Sequence, residues 1–234
     1  MTAPFLQPPE IDALLLSLRV AGVAMLASLP VAILTAQLMA RHDFRGKSFL
    51  DGLIHAPLVL PPVVVGYLLL VTFAPTGVVG GWLLETFGIS LAFNWKGAAL
   101  AAAVMAFPLV VRAIRLSIEA IDPRLERAAR TLGAGPGRVF LTITLPLALP
   151  GLLTGALLGF ARALGEFGAT VTFVSNIPGY TQTLPLALYS AAERPGGEAS
   201  ALRLMLLSLA IAILALILSE WSARRLKRRM EHGS

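Results

Sequence analysis

Residues 122–146 read Asp-Pro-Arg-Leu-Glu-Arg-Ala-Ala-Arg-Thr-Leu-Gly-Ala-Gly-Pro-Gly-Arg-Val-Phe-Leu-Thr-Ile-Thr-Leu-Pro, a polar stretch set between long apolar runs. Its first half predicts a short helix with both ends encoded. The Asp122 carboxylate suits an N-cap, where it accepts from the free N–H groups of the first turn. Pro123 suits the first helical position, which needs no N–H. Gly133 stands where a left-handed residue closes a helix. Between them Leu125, Ala128, Ala129 and Leu132 recur at i, i+3, i+4 and i+7, one apolar stripe. Arg124, Glu126, Arg127 and Arg130 take the rest of the surface. Glu126 precedes Arg130 by four residues, the favourable order for a helical ion pair. Two alanines keep the stripe shallow, so another backbone can approach it closely. A helix this short buries little alone. It packs on its own larger domain, on a partner, or on a membrane surface as an ordinary amphipathic helix.

Composition places the rest of the chain in a bilayer. Of 234 residues, 56% are hydrophobic and 14% charged, with a mean hydropathy of +0.78. A soluble domain carries about 25% charged residues. Cysteine is absent, which excludes disulfides and thiolate-ligated metal centres. The first ten residues hold no Lys or Arg, so a secretory leader with a basic start is not expected. The fold class is all-α and polytopic, a single domain over residues 1–234.

Met1 to Glu10 holds Pro4, Pro8 and Pro9 and is expected to be irregular. Five apolar runs follow, each near the roughly 20 residues that a crossing needs. The first, Ile11 to Ala40, contains Arg19, which can snorkel to the headgroups. The second, Leu53 to Phe73, contains Pro57 and the adjacent Pro61 and Pro62. Two missing donors should break this helix inside the bilayer. Such a break is tolerated only against protein or a water-filled cavity. A half-helix starting at Pro61 would aim free N–H groups at the kink; a packing kink is the plainer reading. A short interfacial helix is expected around Trp82 to Phe87. The third span runs from Gly97 to about Ile118. The fourth is expected from Pro146 to about Val174, and Gly151, Gly155 and Gly159 give it a close-packing face. That face serves a dimer seam, a pore wall or contacts within the subunit. Arg162 and Glu166 lie four apart in the same span. Paired, they are less costly in a membrane than either alone. They form either a functional pair or a structural one. Leu184 to Ala192 reads as a short helix, and the last span runs from Leu202 to Trp221. Five crossings are expected, or six helices if the broken run or Leu184 to Ala192 counts separately.

The charge is arranged by topology. Arg41, Arg45 and Lys47 lie in the first loop. Arg112, Arg115, Arg124, Arg127, Arg130 and Arg138 lie in or beside the central one. Arg224, Arg225, Lys227, Arg228 and Arg229 lie in the tail. Five crossings put all three groups on one face, which the positive-inside rule makes the cytoplasm, with the N-terminus outside. Anionic lipid, not nucleic acid, is the expected neighbour of this charge.

No catalytic constellation is visible. Gly133-Ala-Gly-Pro-Gly-Arg lacks the Gly-Lys-Ser/Thr ending of a phosphate loop and follows a helix. His42, His55 and His232 lack metal-ligand spacing. No Gly-x-Ser-x-Gly elbow is present. Active transport would therefore draw its energy from another chain. A secondary carrier would show repeats and intramembrane ion ligands, of which only Arg162 and Glu166 give a hint.

The central stretch resembles the cytoplasmic coupling loop of ATP-binding-cassette importer permeases, Glu-Ala-Ala, three residues, Gly, nine residues, Ile, one residue, Leu-Pro. Ala128, Ala129, Gly133, Ile143, Leu145 and Pro146 stand at the matching spacings. The family's Glu falls on Arg127, and the nearest acid is Glu126. Pro57-Leu-Val-Leu-Pro-Pro-Val-Val-Val-Gly-Tyr and the run from Phe160 to Thr183 are similar to the molybdate permease branch, with sulfate and thiosulfate permeases as near relatives. The resemblance implies a type I importer transmembrane domain in a prokaryotic inner membrane. It implies a homodimer of permeases, two cytoplasmic ATPase subunits that bind ATP and Mg, and a periplasmic or external oxyanion-binding protein. This chain would bind no cofactor. Residues 120–146 would form the coupling loop, with Asp122, Pro123, Leu125, Glu126, Arg127, Ala128, Ala129, Arg130, Leu132 and Gly133 meeting the ATPase. Pro61, Pro62, Arg162, Glu166 and Thr170 are the pore or gate candidates.

Overall fold

A computed structural model describes residues 6–231. Pro4 and His232 lie outside the described residues, and so do the side chains of the basic tail. The order of elements is α1 (Pro8–Arg41), α2 (Lys47–Val59), α3 (Pro62–Phe73), α4 (Val78–Phe87), α5 (Trp95–Glu119), α6 (Pro123–Thr131), α7 (Pro136–Val139), a π turn (Phe140–Thr144), α8 (Leu145–Leu164), α9 (Gly168–Val174), α10 (Leu184–Glu193) and α11 (Glu198–Glu231). Among the described residues there is no strand. Four helical stretches are long and apolar enough to cross a membrane: Pro8–Arg41, Trp95–Glu119, Pro136–Leu164 and Glu198–Leu218. The α2–α3 pair makes a fifth as a broken span, bent by 113°.

Small side chains set the centre. Helix α5 lies against both α1 and α8, and its Ala98, Ala101, Ala102, Ala106 and Val110 are fully buried. Lipid tails are as apolar as leucine, so close backbone approach and dispersion replace the hydrophobic drive between helices. The glycine face of α8 meets this core. A Cβ on Gly151 would collide with Ser117, one on Gly155 would lie 3.2 Å from the Val110 carbonyl, and one on Gly159 would collide with Val110 and crowd Met25. The Gly-xxx-Gly steps are therefore a seam inside the subunit.

The break between α2 and α3 follows from its prolines. Leu60 precedes a proline and is held extended, with φ −70° and ψ 142°. Pro61 is the N-cap and Pro62 the first residue of α3, where no N–H is missed. Gly66 lets α3 lie on α9, since a Cβ there would stand 2.5 Å from the Ala169 carbonyl oxygen.

Three expectations change. The first helix starts at Pro8, so Pro8 to Glu10 are helical; both prolines fall in the first turn, and Gln7 N donates to Glu10 Oε2 at 2.9 Å. The fourth span is displaced. Helix continues without a gap from Pro136 through the π turn to Leu164 and stops at Gly165, so Gly168 to Val174 is a separate short helix. Pro146 ends no loop; it sits two residues after the π turn, whose wider winding carries the Leu145 N–H to the Phe140 carbonyl. Arg19 does more than snorkel. Its guanidinium lies 3.8 Å over the Trp95 ring, a cation–π contact that joins the N-terminal part of α1 to the start of α5.

Polar bonds tie the two ends of the bundle. At one end Arg115 pairs with Asp51 at 2.9 Å and with Glu119 at 2.7 Å, and Arg41 reaches the Ile121 carbonyl at 3.2 Å. The two basic loops therefore share that end. At the other end Glu10 accepts from Arg203 at 2.6 Å and from Ser200 at 2.6 Å. Ser17 Oγ there accepts the Leu184 N–H at 2.6 Å.

Candidate functional site

Helix α6 is built as its sequence dictates. Asp122 Oδ1 accepts from Arg124 N at 2.9 Å, and Pro123 opens the helix. Gly133, at φ +85°, ends it. Gly133 N donates to the Arg130 carbonyl at 3.0 Å and Ala134 N to the Ala129 carbonyl at 3.0 Å. These two bonds are the Schellman closure, and they need a left-handed residue at position 133.

The helix is turned in a way the pattern alone does not disclose. Its apolar stripe faces away from the bundle: Leu125 is 49% and Leu132 88% exposed, and Ala128 is exposed too. Arg124, Arg127 and Arg130 flank that face and are exposed. The one buried residue of α6 is its acid, Glu126, at 6% exposure. Ala129, one turn further on, is half-buried beside it. The expected Glu126–Arg130 pair does not form. Glu126 Oε1 instead accepts from Arg41 Nε at 3.0 Å and from Thr144 Oγ1 at 2.8 Å. Thr144 is buried and Arg41 half-buried, and both are better placed to compensate a desolvated carboxylate than an exposed arginine on the same helix.

The residues paired with Glu126 carry little sequence signal. Arg41 reads as one more basic loop residue, and Thr144 as one of two threonines before Leu-Pro. The usable hint is that Glu126 is the single acid among the charges of α6.

The pore and gate candidates lie together, further along the bundle. Glu166 is 3% exposed. Its Oε1 accepts the Ala169 N–H at 2.9 Å, which caps the first turn of α9. Its Oε2 lies 2.7 Å from Arg162 Nη1, a charge contact and not an aligned hydrogen bond. Arg162 lies in the last turn of α8 and Glu166 follows the break at Gly165, so the pair spans the gap between two helices. Pro61 and Pro62 are exposed, and Pro62 packs on Gly168, where a Cβ would lie 2.8 Å from the proline Cβ. The two broken spans thus meet at their breaks. Thr170 is 1% exposed and faces the interior of the subunit.

Residues 28–232 match the family described as the binding-protein-dependent transport system inner membrane component. The chain belongs to that family. It is 58% identical over 224 residues to the molybdenum transport system permease protein ModB of Escherichia coli K12, covering 96% of this chain and 98% of that one. It is also 58% identical over 225 residues to ModB of Haemophilus influenzae, with the same coverage. Among solved structures it is similar to a bacterial ABC transporter that imports the acidic polysaccharide alginate, with a TM-score of 0.74 over 94% of this chain and 81% of that one. At 17% identity that likeness speaks for the fold alone. The fold is that of a type I importer membrane domain, and the molecule is a multi-pass membrane permease.

Proposed function

We propose that this chain is the membrane-spanning subunit of an ATP-driven importer of a tetrahedral oxyanion, molybdate first and tungstate as a close analogue. The observation that carries the reading is the outward apolar face of α6. Leu125, Ala128 and Leu132 are exposed at the basic end of the bundle, ringed by arginines. Burying one leucine side chain is worth about 1.5–3 kcal/mol, so this face favours a protein partner. The near-full-length identity to molybdenum permeases supports the cargo and makes sulfate the less favoured alternative.

In this reading two copies of the permease form the pathway. Two ATPase subunits, which bind ATP and Mg, sit under α6 of each copy. A binding protein delivers the oxyanion to the opposite end. Both basic loops lie at the α6 end, which supports a cytoplasmic α6 and an external N-terminus. Closing of the ATPase pair draws the two α6 helices together and opens the spans outward; hydrolysis resets them. Cargo is held weakly along the way, because a deep well would trap it. The Arg162–Glu166 contact sits where α8 and α9 part and serves as the outer gate, with the Pro61–Pro62 break packed against it.

The test is uptake of labelled molybdate, tungstate and sulfate into vesicles holding the permease, its ATPase and the binding protein. ATP-dependent molybdate uptake that sulfate competes against poorly is the expected result. Uptake without ATPase would favour a channel or secondary carrier, and preferred sulfate uptake would replace the cargo.

A further inference from the structure

The junction beneath α6 joins three separate segments at one carboxylate. Glu126 lies on α6, Arg41 on the last turn of α1, and Thr144 on the last residue of the π turn. All three are enclosed. The Arg41 and Glu126 side chains are 13% and 8% exposed, and Thr144 is 1% exposed. One oxygen, Oε1, receives both donors, at 3.0 Å from Arg41 Nε and 2.8 Å from Thr144 Oγ1. Arg41 is held in turn by the Ile121 carbonyl at 3.2 Å, the residue just before the α6 N-cap. Little apolar contact helps, since the stripe of α6 faces outward.

We infer that Glu126 is a positioning residue that clamps α6 to α1 and to the π turn, so that force applied to α6 moves both spans together. A helix attached only by its flanking loops would swing when pulled. A buried carboxylate with two donors resists that, because parting them leaves an unpaired charge in a dry site. The π turn is the point of transfer. It lies in an unbroken helix from Pro136 to Leu164 and has one wide winding, the kind of local irregularity at which helices kink. Arg41 carries the same motion into α1, whose other end is fastened to α11 by Glu10 and Arg203 at 2.6 Å. This role is internal: no atom of Glu126 needs to touch the ATPase. The inference rests on the importer reading for its purpose, but the clamp itself can be tested without transport.

Amide hydrogen exchange over residues 123–134 of the purified permease reads the clamp directly. Glu126→Gln or Arg41→Gln should speed exchange there by about tenfold or more, as a local opening becomes easier. The double variant should go little further than the stronger single, because the two groups share one interaction. Thr144→Val, which keeps shape and removes one donor, should give a smaller increase and serves if either charge variant fails to fold. Unchanged exchange in the folded variants, or effects of Glu126→Gln and Arg41→Gln that multiply, would overturn the clamp. In the full complex Glu126→Gln should retain bound ATPase while oxyanion moved per ATP falls about tenfold, within the usual range of coupling between sites. Loss of the bound ATPase with exchange over residues 123–134 unchanged would mean that Glu126 contacts it directly and would also overturn the proposal. A wild-type complex that transports nothing, with exchange still sensitive to Glu126, would sink the importer reading and leave the clamp standing.

Discussion

At the scale of single residues, the molecule separates side chains that contact a partner from those that aim them. Leu132 is 88% exposed and touches little of its own chain. Leu132→Ala should therefore leave folding intact and weaken ATPase binding by about 1.5–3 kcal/mol, roughly ten- to hundredfold, measured by titrating ATPase onto the detergent-solubilised permease. Unchanged affinity would remove Leu132 from the interface. Gly133 acts through its backbone. At φ +85°, with nothing near its missing Cβ, Gly133→Val would meet strain and not a clash. The cost should be about 1–2 kcal/mol and should fray the end of α6. Co-purified ATPase should fall while permease yield in the membrane holds. Ala128→Phe tests the shallow face separately, since bulk there blocks close approach without touching the backbone. Glu166 is different again. Glu166→Gln keeps an acceptor for the Ala169 N–H and removes the charge facing Arg162. If the pair gates the outer mouth, basal ATP hydrolysis and uptake should both change; wild-type values for both would assign it a purely structural part.

At the scale of elements, what was legible in the sequence is what depends on neighbouring residues. Both ends of α6 were readable because Asp122, Pro123 and Gly133 act through bonds within a few residues of themselves. The break in the second span was readable because adjacent prolines forbid continuity whatever surrounds them. The direction in which α6 faces was not, because a stripe of Leu125, Ala128, Ala129 and Leu132 looks the same whether it turns inward or outward. Long-range partners decided it: Arg41 stands 85 residues from Glu126, and Thr144 eighteen. The fourth span was misplaced for a related reason. Leu145-Pro146 reads as a helix start, yet a proline two residues after a π turn continues a helix, because the wider winding has already shifted the bonding pattern. The glycines of α8 were readable as a close-packing face but not as to which neighbour they pack on. That seam now carries its own prediction. Gly159→Leu inserts bulk against Val110 and Met25, and should lower the thermal stability of the isolated permease, with a cost of about 1–3 kcal/mol. An unchanged melting temperature would move the seam to the outside of the subunit.

At the scale of the whole molecule, the permease is a bundle with two unlike ends. One holds α6, the π turn and the basic loops; the other holds the starts of α1, α5 and α11, fastened by Glu10–Arg203 and Arg19–Trp95. For the importer to work as proposed, the first end must meet an ATPase in the cytoplasm. Cysteine is absent from the chain, so a single introduced thiol is unambiguous. Leu132→Cys, placed in the assembled importer in native membrane vesicles, should cross-link to the ATPase in a manner that ATP alters. It should react with a membrane-impermeant maleimide only from the cytoplasmic face. Labelling of that thiol from the external face, with no cross-link to the ATPase, would contradict the account.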